Sequence, residues 1–381
     1  MESGLYVLAV NPGSTSTKVS LFCDECEVGS YEIEKRHQSG LTGAALDAEV
    51  QGYVDEVARF LPKFPGVTLS AVVGRGGFLN RRGTHIEGGV YAVAVRENDK
   101  VCVCDDIVRG VMVDPEMDHA SNLGIPIAAR LAVKYQVPAF CVDPVVSDDY
   151  IPEARYSGYA SVERKSIGHA LSVKRLALKA ADRLGRPLVG TRMVVVHMGG
   201  GITVAAVRDG KMIDNNNALL GSGPFTPSRC GSLPMRQLMD LCFSGRFTQR
   251  ELEVELTKGA GLRSYVDEDS GLVLKKRLAA GEDKVREALS AMAYQIAKEV
   301  GGMAVATGHP LDALVFSGGL VWFEAFFAMV TSRVGHLAPV ILSYPDSVEM
   351  EAMATGALSV VRGCETMKRY RLPPPHTPAT P

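Results

Sequence analysis

The sequence carries no surplus of either charge. Its 41 lysines and arginines stand against 43 aspartates and glutamates, a formal net charge of −2. That balance gives no basic footprint for nucleic acid or an anionic membrane surface, so neither is expected as a partner. Long apolar runs are missing as well: none approaches the roughly eighteen residues a membrane helix needs. The opening MESG has no basic segment, and the six apolar residues from Leu5 are too few for a secretory signal. A cytoplasmic protein is therefore expected. Cysteines number eight and are scattered, the pattern of reduced thiols rather than of a disulfide framework. Cys23 pairs with Cys26 and Cys102 with Cys104, but a zinc site would need these distant pairs to meet, and a second CxxC is absent. A P-loop is lacking too. The stretch NPGSTSTK, residues 11–18, fails the spacing GxxxxGK[ST], and no helical pattern follows it.

What is present is enough for two domains: 381 residues, 46% of them hydrophobic. Residues 5–10 form a buried-strand pattern, 17–22 alternate as a second strand, and 29–34 suit a third. Leu46, Val50, Val54, Val57 and Leu61 repeat at helical spacing and stop near Pro62. A short strand at 70–73 runs into the turn GRGG, a helix is expected over 122–135, and a strand over 139–142. A long helix is read over 161–184, ended by Gly185 and Pro187. The opening layout then returns, with a strand at 193–196, the turn MGGG, a strand at 202–207, the turn RDGK and a strand at 212–214. Strand, small-residue turn and two further strands thus occur twice, which points to a duplicated α/β domain. Helices at 235–243 and 284–306, a strand at 313–316, the turn SGGL, a helix through 329, a strand at 340–343 and a last helix over 348–361 follow. The proline-rich end RLPPPHTPATP has almost nothing to bury and is expected to be disordered.

The two hairpin turns are the first candidates for chemistry. Backbone N–H groups in a tight glycine or serine turn cradle an anion without any helix dipole. In NPGSTSTK, Gly13 admits a phosphate, Ser14 and Ser16 offer hydroxyls and Lys18 a charge; HMGGG places His197, Gly199, Gly200 and Gly201 in the matching position. SGGL, with Gly318 and Gly319, lies between a strand and a helix, where doubly wound sheets bind nucleotides. Arg75 and Arg229 sit in glycine-flanked loops, where guanidinium groups can clamp carboxylate or phosphoryl oxygens. His119, His169 and His197 can donate to phosphoryl oxygens, and spacing alone does not select among them. Asp143 follows a strand, at the edge where α/β sites form. Glu349 and Glu351 open the last helix, where a favourable dipole interaction also explains them.

NPGSTSTK, DHASNLG, RKSIGHALS, VVHMGGGITV, GPFTPSRCGSLP and FSGGL together resemble the butyrate kinase branch of the acetate kinase family. That family lies within the superfamily of sugar kinases, actin and the heat-shock ATPases. The resemblance runs from about Leu5 to Gly363. It implies an α/β fold of two duplicated ribonuclease H-like (actin-like ATPase) domains with a nucleotide cleft between them. The first would hold residues 1–150 and 345–365, the last helix returning to it, and the second residues 151–344, leaving 366–381 as a tail. It further implies ATP or ADP and Mg²⁺ as cofactors, a short-chain carboxylate as acceptor, an acyl phosphate as product, and a homo-oligomer. Residue by residue, Arg229 matches the arginine that stabilises the transferring phosphoryl group, and His169 the histidine that contacts it. Asp143 matches the aspartate near metal and carboxylate, Asn11 the asparagine opening the first hairpin, and His119 another active-site histidine. Glu349 is the better match to a glutamate near magnesium, with Glu351 as the other choice. Arg75 corresponds to a second arginine, in a stretch whose length differs from acetate kinases.

These roles are physically coherent. A carboxylic acid with a pKa of about 4.5 is already ionised at pH 7, so transfer needs no general base. The task is to bring two anions together, which calls for Mg²⁺, arginines and histidine donors. Asp143 then orients metal rather than taking a proton, and transfer is direct and in line. Two departures stand out: MGGG where acetate kinases carry an asparagine, and Gly168 where the family usually places phenylalanine before the active-site histidine. If that ring walls the acyl pocket, Gly168 admits longer or branched acids. Two competing readings are a hydroxyl or sugar kinase, with Asp143 as a true base, and an actin-like nucleotide switch without metabolic activity.

Overall fold

The computed structural model describes residues 4–13, 16–34, 37–38, 40–79, 85–112, 119–308 and 310–372. In chain order the strands are β1 (Tyr6–Pro12), β2 (Thr17–Cys23), β3 (Cys26–Ile33), β4 (Leu69–Arg75), β5 (Val90–Glu97), β6 (Lys100–Val103), β7 (Ala139–Val142), β8 (Arg192–Met198), β9 (Ile202–Arg208), β10 (Lys211–Asn215), β11 (Ala313–Ser317) and β12 (Ile341–Tyr344). The α-helices are α1 (Gly43–Phe60), α2 (Asp105–Met112), α3 (Gly124–Tyr135), α4 (Ala170–Arg183), α5 (Met235–Cys242), α6 (Gln249–Val254), α7 (Leu262–Val266), α8 (Gly271–Ala279), α9 (Asp283–Thr307), α10 (Glu324–Val334) and α11 (Glu349–Val361). The chain divides into two compact units. One is Met1–Ser147 with Val348–Pro381, and the other is Asp148–Ser347.

The first unit is built on the sheet order β3-β2-β1-β4-β7-β5-β6, the second on β10-β9-β8-β11-β12. In each, three antiparallel strands joined by tight turns are followed by two parallel ones. The repeated layout read from the strands is therefore a repeated topology. The first unit adds the antiparallel pair β5 and β6 beyond β7. Central strands are buried on both faces, as parallel sheets covered by helices require: Val7 to Val10 in β1 and Val194 to Val196 in β8 are wholly enclosed. Helix α1 buries Val50, Val54 and Val57, while α9 buries Val285, Leu289, Met292, Ile296 and Val300 in one stripe. The pair Cys23 and Cys26 ends β2 and starts β3, whereas Cys102 lies in β6 and Cys104 just after it. These are opposite edges of one sheet, so the pairs are kept apart.

Three differences from the sequence expectations have physical reasons. The helix expected from 161 begins only at Ala170. Residues 163–168 take no regular secondary structure: Arg164 is paired with Asp214, and Ile167 O accepts from Ala218 N. Strands β5 and β6 and helices α2 and α6 to α8 lie in segments for which no element was expected from the sequence. The tail expected from 366 is ordered through Leu372: Lys368 N donates to Val90 O, Ala92 N donates to Lys368 O, and Tyr370 is buried in the core. Residues 373–381 lie outside the described residues. Among the described residues no helix is long and apolar enough to cross a membrane.

Candidate active site

In the first unit Asn11, Arg75, Asp143 and Glu349 form a connected group. Asn11 ends the β1 edge of the first hairpin, and its Nδ2 donates to Glu349 Oε2 at 2.9 Å. Glu349 Oε1 lies 4.0 Å from Arg75 Nη2, and Arg75 is 4% exposed at the end of β4. Arg75 Nη1 donates to the carbonyl oxygens of Gly76, at 3.2 Å, and of Asp143, at 3.3 Å. Asp143 is buried, its backbone is left-handed at φ 38°, and its Oδ1 accepts from Gly89 N at 2.7 Å. The guanidinium is thus held by carbonyls with one carboxylate at its edge. Burial pushes the Cys141 thiol up to about 12, against the lowering influence of Arg75, so it stays neutral beside them. Glu351 lies two positions further along α11, about 200° around the helix, and faces away from this group.

Glycines make the Arg75 loop possible. A Cβ on Gly74 would overlap the Gly124 carbonyl, and one on Gly77 would overlap Asn122. The same Asn122 accepts from Phe78 N at 2.7 Å. His119 precedes Asn122, and its ring meets Phe78 edge-on at 5.8 Å. Its Nδ1 accepts from Ser121 N at 3.2 Å, which assigns the ring proton to Nε2 in the neutral form. In the hairpin itself Gly13 N donates to Ser16 O at 2.9 Å, and the Ser16 hydroxyl donates to the Glu32 carboxylate. Lys18 is exposed and stands between Asn11 and Glu32 in the strand register. Ser14 lies outside the described residues.

The second unit gathers His169, His197, Arg229 and the MGGG turn. Met198 pairs with Ile202 across the three glycines, and Gly199 N donates to Gly201 O at 3.0 Å. His197 Nδ1 is 3.1 Å from Ser317 Oγ, and the His169 and His197 rings lie 4.2 Å apart between centroids. His169 Nδ1 is 2.8 Å from Thr203 Oγ1. Thr226 staples the Arg229 loop to the turn: its Oγ1 donates to Gly200 O at 2.8 Å and accepts from Arg229 N at 3.0 Å. The Arg229 side chain donates to Ala218 O, and burial holds its pKa below the usual arginine value. Among the described residues it has no carboxylate partner. A guanidinium partly stripped of water, with no anion beside it, is ready to receive one.

Two glycines are required by neighbours. A Cβ on Gly201 would overlap Arg229 Nη1, and one on Gly318 (φ 88°) would stand 2.5 Å from Met198 O. Gly200 and Gly319 face open space. A pocket of about 460 Å³ is lined by Gly199, Gly200, Gly271, Leu272, Lys275, Gly319 and Trp322. Trp322 is 60% exposed and Leu272 77%, an apolar pair suited to a flat ring. Beside Gly168 a Cβ would come 3.0 Å from Asn215 Nδ2 and 3.3 Å from Thr203, so that flank is occupied by polar side chains. Thr203, Thr226, Ser317 and the asparagines of 215–217 were not singled out by sequence. The run NNNA directly after a strand was the available signal.

Residues 150–344 match the sequence model of the acetokinase family. Over 370 residues the chain is 39% identical to a protein named probable butyrate kinase from Listeria monocytogenes serovar 1/2a, covering 96% of this chain and 99% of that one. The serotype 4a counterpart is 39% identical over the same length. Among solved structures, acetate kinase from Porphyromonas gingivalis superposes with a TM-score of 0.70 at 16% identity, covering 94% of this chain and all of that one, 100%. Acetate kinase from Entamoeba histolytica gives 0.70 at 15% identity, covering 93% and 99%. A ROK family protein from Streptococcus pneumoniae gives 0.51 at 13%, covering 94% and 100%. At such identities these structures establish the fold, which is the actin-like one.

Proposed function

The chain belongs to the acetokinase family, and from that premise we propose that it transfers the γ-phosphoryl group of ATP reversibly to a short-chain carboxylate. The acceptor is butyrate or a related short or branched acid, and the products are an acyl phosphate and ADP. The observation that carries this reading is Arg229, a partly buried guanidinium without a carboxylate partner among the described residues, held against the glycine hairpin by Thr226. Such a group suits the negative charge that spreads over the transferring phosphoryl oxygens. His169 and His197 donate to the same oxygens. The MGGG turn, with Gly199, Gly200 and Gly201, holds phosphates. The pocket beside Gly319 and Trp322 takes the adenine ring. Within the first unit, the first hairpin and Arg75 offer donors of their own for an anionic group.

Asp143 and Glu349 fit Mg²⁺, which takes one or two carboxylates and fills its remaining positions with phosphates and water. When bound, the ion shields the charge between phosphates and carboxylate. Asp143 carries a backbone N–H on one oxygen and sits in a rigid turn, which suits orienting an ion better than accepting a substrate proton. That argues against a hydroxyl kinase. We further propose that the protein works in the cytoplasm, where its free cysteines stay reduced, and as a homo-oligomer. Met235, Met239 and Phe243 form an exposed apolar stripe along α5 that suits self-association, and light scattering tests it.

The decisive experiment traps the acyl phosphate with hydroxylamine across the C2 to C5 acids, in the parent protein and in Arg229→Ala. Butyrate, isobutyrate and valerate are expected to exceed acetate in kcat/KM. Arg229→Ala is expected to lose about 10³-fold in kcat. A preference for acetate would remove the assignment of longer acids and the role of Gly168, and no hydroxamate from any acid would remove the carboxylate acceptor. An unchanged variant would remove the central catalytic one.

A further inference from the structure

Two consecutive buried carboxamides, Asn215 and Asn216, are each 1% exposed and lie outside every role described so far. Asn215 ends β10, paired with Ala205 of β9. There the strand stops, and the Asn216 side chain continues the pairing. Its Oδ1 accepts from Val204 N at 2.7 Å and its Nδ2 donates to Ile202 O at 3.0 Å. Those partners are a backbone donor and a backbone acceptor, so the orientation of the amide is unambiguous. They are also the two neighbours of Thr203, the residue whose hydroxyl stands 2.8 Å from His169 Nδ1 and accepts from His169 N at 3.3 Å.

Asn215 grips the other side. Its Oδ1 accepts from Ser166 Oγ at 3.2 Å, and its Nδ2 donates to Ile167 O at 3.4 Å and to Asn216 O at 2.5 Å. Ile167 O also accepts from Ala218 N at 3.0 Å, and Ala218 O receives the Arg229 side chain. We infer that Asn215 and Asn216 are positioning residues for phosphoryl transfer. One fixes the chain entering His169, and the other fixes the hydroxyl that orients its ring. The inference rests on the proposed role of His169. Asparagine is the short side chain that donates and accepts at once, whereas aspartate at the same shape would face the Ile202 or Ile167 carbonyl with a carboxylate oxygen.

The test is a cycle of Asn216→Asp, His169→Ala and the double variant, with kcat from the hydroxamate assay, ATP affinity from the fluorescence of the single tryptophan, Trp322, and melting temperature recorded for each. Asn216→Asp is expected to lower kcat by about 30-fold, as a displaced reacting group does, with ATP affinity held within about twofold. In the His169→Ala background the same change is expected to cost less than about twofold, because residues acting as one unit are not additive. An undiminished loss in that background would make the amide merely structural and overturn the inference. So would a single variant with parental kcat. A His169→Ala protein of parental activity would instead remove the role of His169, and the inference with it. Should Asn216→Asp fail to fold, Asn215→Asp enters the same cycle with the same expectations.

Discussion

Replacing Gly201 by alanine separates function from stability in this protein. The added Cβ would overlap Arg229 Nη1 and stand 3.2 Å from its Cζ and 3.4 Å from Ala218 O. Ordinary contact begins near 3.4 Å, so the guanidinium must move while the backbone need not. Gly201 does not have the left-handed backbone that penalises alanine. The displaced atoms are the far end of a flexible side chain, and the stability cost is therefore small. Catalysis is less forgiving. A shift on the order of 1 Å in a group that meets the transition state costs about 10²-fold, or roughly 2.7 kcal/mol of barrier. The assay is hydroxamate formation from ATP and butyrate, beside a thermal melt of the same preparation. The expected result is kcat lowered about 10²-fold with a melting temperature within about 2 °C of the parent. In an Arg229→Ala background the glycine change should add almost nothing. A Gly201→Ala protein with kcat within about threefold of the parent would refute the placement of Arg229 as the phosphoryl-facing group.

Other expectations follow from the same geometry. Trp322→Ala should raise KM for ATP about tenfold and leave kcat near the parent, since a ring against the nucleotide base contributes binding rather than transition-state stabilisation. Equal loss in kcat would refute it. Glu349→Gln should raise the Mg²⁺ concentration needed for half-maximal rate several-fold, while Glu351→Gln should change it little; a Mg²⁺ titration of both variants decides. Glu299 has its pKa raised, chiefly by burial and then by Asp214. A carboxyl raised in the folded state contributes stability that is fully present below its ordinary pKa and is lost as pH rises through the folded value. Glu299→Gln should therefore stabilise the protein more at pH 8 than at pH 5, measured by denaturant unfolding, and a gap that widens toward acid would overturn the assignment.

Features carried by short-range pattern were readable in the residues. NPGSTSTK and MGGG stand out because each interrupts two β-branched runs with residues that turn easily. Glu349 was preferred to Glu351 by resemblance alone; the helix axis adds the physical reason, since 200° of rotation puts Glu349 on Asn11 and Glu351 elsewhere. The false start of α4 has the opposite origin. The period continues upstream of Ala170, but partners 50 residues away in sequence hold Arg164 and keep that stretch out of the helix. For Asn215 and Asn216 the run NNNA was a signal, but their role was not readable, since a buried amide is recognised by the backbone atoms it meets rather than by its neighbours in sequence. Gly201 was readable as a glycine, but its reason, Arg229, was not.

The return of the chain to its first unit has a consequence during synthesis. Helix α11 packs against β1, β4 and β7, and Gly356 lies against Val142 so closely that any side chain would collide. The strands it covers are complete by Val142, yet the helix is made only after the whole of Asp148–Ser347. At about 5–20 residues per second the ribosome needs roughly 10–40 s for that interval. Throughout it, one face of a finished sheet waits without its helix and is open to chaperones or to wrong partners. Glu349 arrives on that same helix and meets Asn11 across 338 residues of sequence. A chain that terminates early therefore lacks both the cover of the sheet and the carboxylate proposed for the metal.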